Sequence, residues 1–175
     1  LLGDCLELMK DIPNGSIDMI LCDLPYGIIQ SKWDVPIPFD NLWEQYNRII
    51  KPNGAVVLFG NEPFSSGLRF SNISNWKYDW IWDKKNKTGI KKKKKRPLKQ
   101  FENIMVFYKE QCTYNPQMTK GRFRNKKITT KKVFDAYGDL NNEVDNYNDE
   151  YYPSNILEFS NNSNMKSKLH STQKL

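Results

Sequence analysis

Histidine and paired cysteine are what this sequence has least of. Its 175 residues hold one histidine, His170, and three cysteines, Cys5, Cys22 and Cys112. No Cys-x-x-Cys pair occurs and no cysteine stands near a histidine cluster, which leaves no usual zinc ligand set and no disulfide framework. No metal site is therefore expected, and a reducing, cytoplasmic setting is the default. No apolar run approaches the ~20 residues that a membrane helix needs. A secretory signal is also lacking, so no membrane partner is expected. A Gly-rich loop following a strand is missing as well; Gly54 and Gly60 bracket a strand without making one.

Acidic residues are scarce in one stretch only. From Lys84 to Lys132 there are 18 Lys and Arg against two acids, Glu102 and Glu110. That stretch carries +16 while the rest of the chain carries −9, for a net charge of +7. A concentrated basic stretch in an otherwise acidic chain suits a polyanionic partner, with a solvated lysine-rich surface as its rival.

What is present reads as a folded α/β protein. Hydrophobic residues make up 38% and aromatic residues 13%, enough for a real core. Ser16 to Leu24 is a short apolar run that suits a buried parallel strand. The spacing of Leu42, Trp43, Tyr46, Ile49 and Ile50 predicts a helix over 40–51, with Asp40 as N-cap and Pro52-Asn53-Gly54 as its end. Ala55 to Phe59 reads as a second buried strand, and Glu62 to Phe70 as a short helix. This order is a βαβ unit, with its two strands parallel. Trp76, Tyr78, Trp80 and Trp82 alternate with other residues, as one packed face of a strand does; base stacking is the lesser reading. Glu102 to Lys109 is another strand. Between the two, Lys84 to Gln100 carries Lys91, Lys92, Lys93, Lys94, Lys95 and Arg96 in one run and is expected to be mobile. From Glu110 to about Asn148 periodicity fades, and an irregular insertion is expected. Ile156 to Phe159 returns to the fold.

The chemically informative segment is Asp23-Leu24-Pro25-Tyr26-Gly27, at the carboxyl end of the first strand, where open α/β sheets bind ligands. Alone it would be an ordinary turn. In context it resembles the Asp-Pro-Pro-Tyr motif of DNA methyltransferases that modify the exocyclic amines of adenine or cytosine. Gly3-Asp4-Cys5-Leu6-Glu7 and Ile17 to Cys22 resemble that family's approach to the motif. Lys51-Pro52-Asn53-Gly54 with Val56 to Gly60 resembles its next helix end and strand. Trp80 to Asn86 and Glu102 to Phe107 resemble its later strands. His170-Ser171-Thr172-Gln173-Lys174 resembles its His-Pro-Thr-Gln-Lys segment. The likeness covers nearly the whole chain except Cys112 to about Glu150.

The segment order is that of the permuted class, in which target recognition follows the catalytic half. There the Gly-rich strand and loop for the methionine end of S-adenosylmethionine follow His-x-Thr-Gln-Lys. None lies in these 175 residues. The resemblance thus implies a member truncated before that motif, or one completed by a homodimer or a complementary chain. Leu24 and Ser171 stand where prolines are usual, as does Leu175, and none of these changes removes a reacting group.

The fold implied is α/β: a partial Rossmann-like methyltransferase sheet with parallel strands, late antiparallel strands and an irregular inserted target-recognition region. Residues 1–109 would form the catalytic half, 110–150 the insertion, and 151–175 an incomplete return. The activity implied is site-specific transfer of a methyl group from S-adenosylmethionine to adenine N6 in double-stranded DNA, in a restriction-modification or related role. Asp at position 23 favours adenine over cytosine N4. A non-catalytic or split fragment that binds nucleic acid is the alternative.

Chemistry sharpens the roles. An adenine amino nitrogen is a poor nucleophile because its lone pair is delocalised into the ring. Acceptors beside the amine would direct that lone pair at the methyl group. The Asp23 carboxylate and the carbonyl of Leu24 or Pro25 can accept, and Tyr26 can stack on a flipped base. No covalent intermediate is needed, so Cys22 reads as core. By resemblance Asp4 and Cys5, Asp23, and His170, Ser171, Thr172, Gln173 and Lys174 line the cofactor pocket. Read without the family, Asp4 is a helix N-cap for Leu6 to Lys10. Lys91 to Arg96, Arg122 and Arg124 are the expected DNA contacts.

Overall fold

Asp4 starts the first helix, α1 (Cys5–Met9), by accepting through Oδ1 from Leu6 N at 2.8 Å and Glu7 N at 3.3 Å. Such a cap is worth about 1 kcal/mol. The structure, a computed structural model, describes residues 2–28, 31–32, 34–125 and 147–160. They form two compact units, one running to Thr113 and resuming at Asn155, the other Tyr114–Ser154.

In the first unit, β1 (Ile17–Asp23) pairs in parallel with β2 (Ile50–Gly60), and α2 (Phe39–Ile49) connects them. This is the expected βαβ unit. Its boundaries differ from expectation at both helix ends. Pro38, not Asp40, is the N-cap and offers no side-chain bond; Asp40 sits in the first turn, where its charge complements the helix dipole. Nor does Pro52-Asn53-Gly54 end the helix. Ile50 is already extended, and residues 50–54 belong to β2. The last α2 carbonyls need no glycine cap because the loop before β1 supplies donors. Gly15 N bonds Arg48 O and Ser16 N bonds Ile49 O, each at 2.9 Å. Arg48 returns the favour, donating to Ile12 O at 2.7 Å and Met9 O at 2.6 Å.

Next come α3 (Phe64–Ser71), β3 (Trp76–Thr88), a 3-10 turn at Ile90–Lys92, β4 (Lys99–Phe107), β5 (Thr119–Asn125), β6 (Tyr147–Tyr151) and β7 (Ile156–Glu158). The main sheet has five strands in the order β1-β2-β4-β3-β7. β4 is antiparallel to both of its neighbours, and β7 is parallel to β3. The sheet is mixed α/β, with the parallel pair and later antiparallel strands expected.

Alternation along the strands separates two faces. Val56, Leu58, Met105 and Phe107 pack with Met9, Leu42, Trp43, Tyr46, Ile49 and Leu68 from the helices. Phe59, Ile104 and Trp82, with Val57, Trp80 and Leu157 against them, form a second cluster to which no helix contributes among the described residues. Every described α-helix therefore covers one face. On the other face of β1, Met19 and Leu21 remain 53% and 58% exposed.

One expectation for β3 is corrected, and strand pairing extends into both ends of its connection. The aromatic stripe does not pack on one face. A register shift between Trp76 and Tyr78 slips the pairing, so Trp76 joins the helical cluster while Trp80 and Trp82 join the other. The Lys84 to Gln100 connection is strand at both ends. β3 runs to Thr88, which pairs with Lys99, and Gly89–Leu98 alone makes the loop.

In the second unit, β5 and β6 pair in an antiparallel two-stranded ribbon, so the insertion is not irregular throughout. Arg124 ties it together, donating to Asn148 Oδ1 at 2.7 Å and to the Glu150 carbonyl, with its guanidinium 4.3 Å from the Tyr151 ring centroid. Among the described residues, no helix is long and apolar enough to cross a membrane.

Candidate active site

Asp23 ends β1 opposite Phe59, a member of the second cluster. Its side chain thus follows Met19 and Leu21 on the sheet face without helices, at the carboxyl edge of the parallel pair. Leu24, one residue on, is buried in the helical cluster. An apolar side chain thereby anchors the chain where the related motif has proline.

Tyr26 folds back over the strand end, and its hydroxyl donates to Asp23 Oδ1. Its ring lies 4.8 Å from that of Phe64, at the start of α3. Burial, then the bond to Asp23, pushes its phenol well above the ordinary value of 10.0. Tyr26 is thus a neutral donor at any physiological pH. The backbone beyond it is held by Asp34, whose carboxylate accepts from Tyr26 N, Gly27 N and Ile28 N at 2.8, 3.0 and 2.7 Å.

A polar group adjoins this centre. Glu102 pairs with Lys84 and accepts from Asn61 Nδ2 at 3.0 Å. The Lys84 and Glu102 side chains are only 11% and 16% exposed. The Lys84 ammonium lies 4.7 Å from the Trp82 ring centroid, which adds a cation–π contact. The Glu102 charge is near enough to raise the Tyr26 phenol further. Sequence reasoning missed Asp34, Asn61, Lys84 and Glu102. One signal pointed to Glu102: it is one of only two acids among the 18 basic residues of 84–132.

Asp4 and Cys5 open α1, and the Cys5 thiol is close enough to influence both Cys22 and Tyr46. This puts the start of α1 beside the carboxyl half of β1. Asp4 spends Oδ1 on its helix cap. Cys22 packs against the helical cluster, and burial pushes its thiol up. His170, Ser171, Thr172, Gln173 and Lys174 lie outside the described residues.

Of the basic candidates, Lys91, Lys93, Lys94, Lys95 and Arg96 are exposed on the Gly89–Leu98 loop. Lys92 ends the 3-10 turn there. Arg122 is exposed on the ribbon, whereas Arg124 is engaged within it. A cleft of about 560 Å³ opens elsewhere, between the start of β2 (Ile50, Lys51, Gly54) and the end of β4 (Phe107, Tyr108). That is the sheet edge opposite Asp23, so this cleft does not belong to the motif.

The acid–aromatic pair thus lies at a parallel strand's carboxyl end, the edge where open α/β sheets bind ligands. No protein-family model matches the chain. It is 30% identical to the type II methyltransferase M.HinfI of Haemophilus influenzae over 110 residues, 48% of this chain and 31% of that protein. It is 27% identical to the type II methyltransferase M.BamHI of Bacillus amyloliquefaciens over 90 residues, 42% of this chain and 21% of that protein. The chain thus spans a third or less of the curated relatives it matches. Its fold is similar to that of the PvuII DNA methyltransferase (cytosine-N4-specific), with a TM-score of 0.56 and 16% identity, over 95% of this chain and 58% of that one. Over about half of its length the chain is thus similar to type II DNA methyltransferases.

Proposed function

We propose that this chain is the catalytic half of an S-adenosylmethionine-dependent methyltransferase that acts on adenine N6 in double-stranded DNA. The observation that carries the reading is Asp23, an acceptor at the end of a parallel strand with an aromatic ring folded over it. The likeness to type II DNA methyltransferases supports assigning this reaction to that geometry. Asp at position 23, rather than Ser, favours adenine over cytosine.

The target base enters beside Asp23 after leaving the duplex. Asp23 accepts from the amino group and turns its lone pair outward. The Tyr26 hydroxyl now occupies Asp23 Oδ1, so base entry exchanges that bond for one from the amine. Tyr26 is then released to stack. The neighbouring Lys84–Glu102–Asn61 group is placed to meet the base edge.

The residues present fit the cofactor in part. Asp4 retains a second carboxylate oxygen beyond its helix cap, at the start of α1 beside Cys22. Asp4 and Cys5 would hold the cofactor's adenosine end. When bound, S-adenosylmethionine supplies an electrophilic methyl group, and the protein supplies alignment.

The test is nucleoside mass spectrometry of unmethylated DNA incubated with the folded chain and S-adenosylmethionine. N6-methyladenine is the expected product. N4-methylcytosine would move the specificity, and DNA binding without either product would leave the non-catalytic reading. A second expectation concerns the basic loop. Changing Lys91 to Lys95 to glutamine should lower the slope of log affinity against log salt by up to about 4. An unchanged slope would make that loop a solvated surface.

A further inference from the structure

Asp34 lies in a connection with little regular structure, yet it is only 7% exposed. A buried carboxylate needs partners, and here they are three consecutive backbone amides. Oδ1 accepts from Tyr26 N at 2.8 Å and Gly27 N at 3.0 Å, and Oδ2 accepts from Ile28 N at 2.7 Å. Successive amides can converge on one anion only when the backbone between them curls into a concave nest. Gly27 supplies the curl with φ +70°, a conformation that L side chains rarely adopt. A Cβ there would also come within 2.7 Å of Pro36 Cγ. Asp34 is itself fixed by its amide, which donates to Ser31 O at 3.0 Å.

We propose that Asp34 is the positioning residue of the motif: it holds the Tyr26–Ile28 backbone in the one conformation in which the Tyr26 hydroxyl meets Asp23. The catalytic consequence rests on the methyl-transfer reading above. Asp34 touches no reacting atom. It fixes the backbone from which Tyr26 hangs, directly after the Leu24 and Pro25 carbonyls. Charge-assisted bonds suit that task because they resist exchange with water. Leu24, buried on one side of the motif, and Asp34, clamping the other, restrain its two ends. A turn carrying Leu in place of the motif's first proline needs that second restraint.

The experiment uses this chain with Asp34→Asn, Asp34→Ala and Gly27→Ala. Site-resolved amide exchange should accelerate about 10- to 100-fold at Tyr26, Gly27 and Ile28 in Asp34→Ala. Amides of β1 and β2 should stay as they were. Asp34→Asn keeps one acceptor and should fall between, and Gly27→Ala should reproduce the loss with the carboxylate still present. In ring-labelled protein, the Tyr26 ring signals should shift in Asp34→Ala as its hydroxyl leaves Asp23. Unchanged exchange at 26–28, or acceleration spread equally over β1 and β2, would overturn the proposal. So would Tyr26 ring signals that stay unchanged in Asp34→Ala. Methyl-transfer assays of the same variants should show a lower kcat at an unchanged KM for DNA. A wild-type chain without transfer activity would count against the catalytic reading, while exchange and the ring signals would still decide whether Asp34 is the clamp.

Discussion

Asp23→Ala is expected to lower methyl transfer by on the order of 10³-fold while leaving DNA affinity within about twofold. The expectation follows from where the charge sits. Asp23 is placed by the parallel pairing of β1 with β2, not by a flexible loop, so its carboxylate is preorganised at the strand end. Removing it deletes the acceptor that orients the amine and also frees the Tyr26 hydroxyl. The basic loop at Gly89–Leu98 is untouched, and phosphate binding depends on charges of that kind. Asp23→Asn separates the two effects of the carboxylate. It retains an acceptor and the shape but loses the charge, so a smaller drop would assign the remainder to electrostatics. The measurements are single-turnover transfer and DNA titration on the same preparation. Full activity in Asp23→Ala would sink the assignment of the site.

Trp82→Ala should cost about 3–5 kcal/mol of stability, the largest effect expected from any single core change here. Trp82 is 1% exposed and is the largest fully buried side chain among the described residues. It meets Phe59 edge to face at 6.3 Å between ring centroids, donates from Nε1 to Phe159 O at 2.9 Å, and lies beneath the Lys84 ammonium. Alanine would leave a cavity in a cluster to which no helix contributes among the described residues. It would also strip the Phe159 carbonyl of its donor and detach the segment after β7. Trp82→Phe keeps most of the apolar volume and should cost only about 1–2 kcal/mol, chiefly for the lost bond. Urea unfolding of the two variants measures the difference. A cost below about 1 kcal/mol for the alanine variant would mean that the second cluster is surface rather than core.

Much of this was legible along the chain. The apolar run before Asp23, the helical spacing of Leu42, Trp43, Tyr46 and Ile49, and the strand signals at 76–82 and 102–107 each reflect local periodicity. So does the position of Asp23-Leu24-Pro25-Tyr26 at a strand end, because a turn signal closes an apolar run there. These features need only nearest neighbours, and the sequence by itself determined them, along with the likeness to DNA methyltransferases.

Tertiary structure decided the rest, wherever the partner lies far along the chain. The end of α2 is set by amides of Gly15 and Ser16, more than thirty residues earlier, so no local stop signal was required. The two faces of β3 are set by its register on β4, where a single slip at Trp76 reverses a pattern that reads as uniform. Asp34 looks like one more loop acid until the chain curls and brings three amides to it. Glu102 and Lys84 look like ordinary charges until strand pairing buries them against each other beside Tyr26. Periodicity records which way a side chain points; only the folded chain decides what it meets.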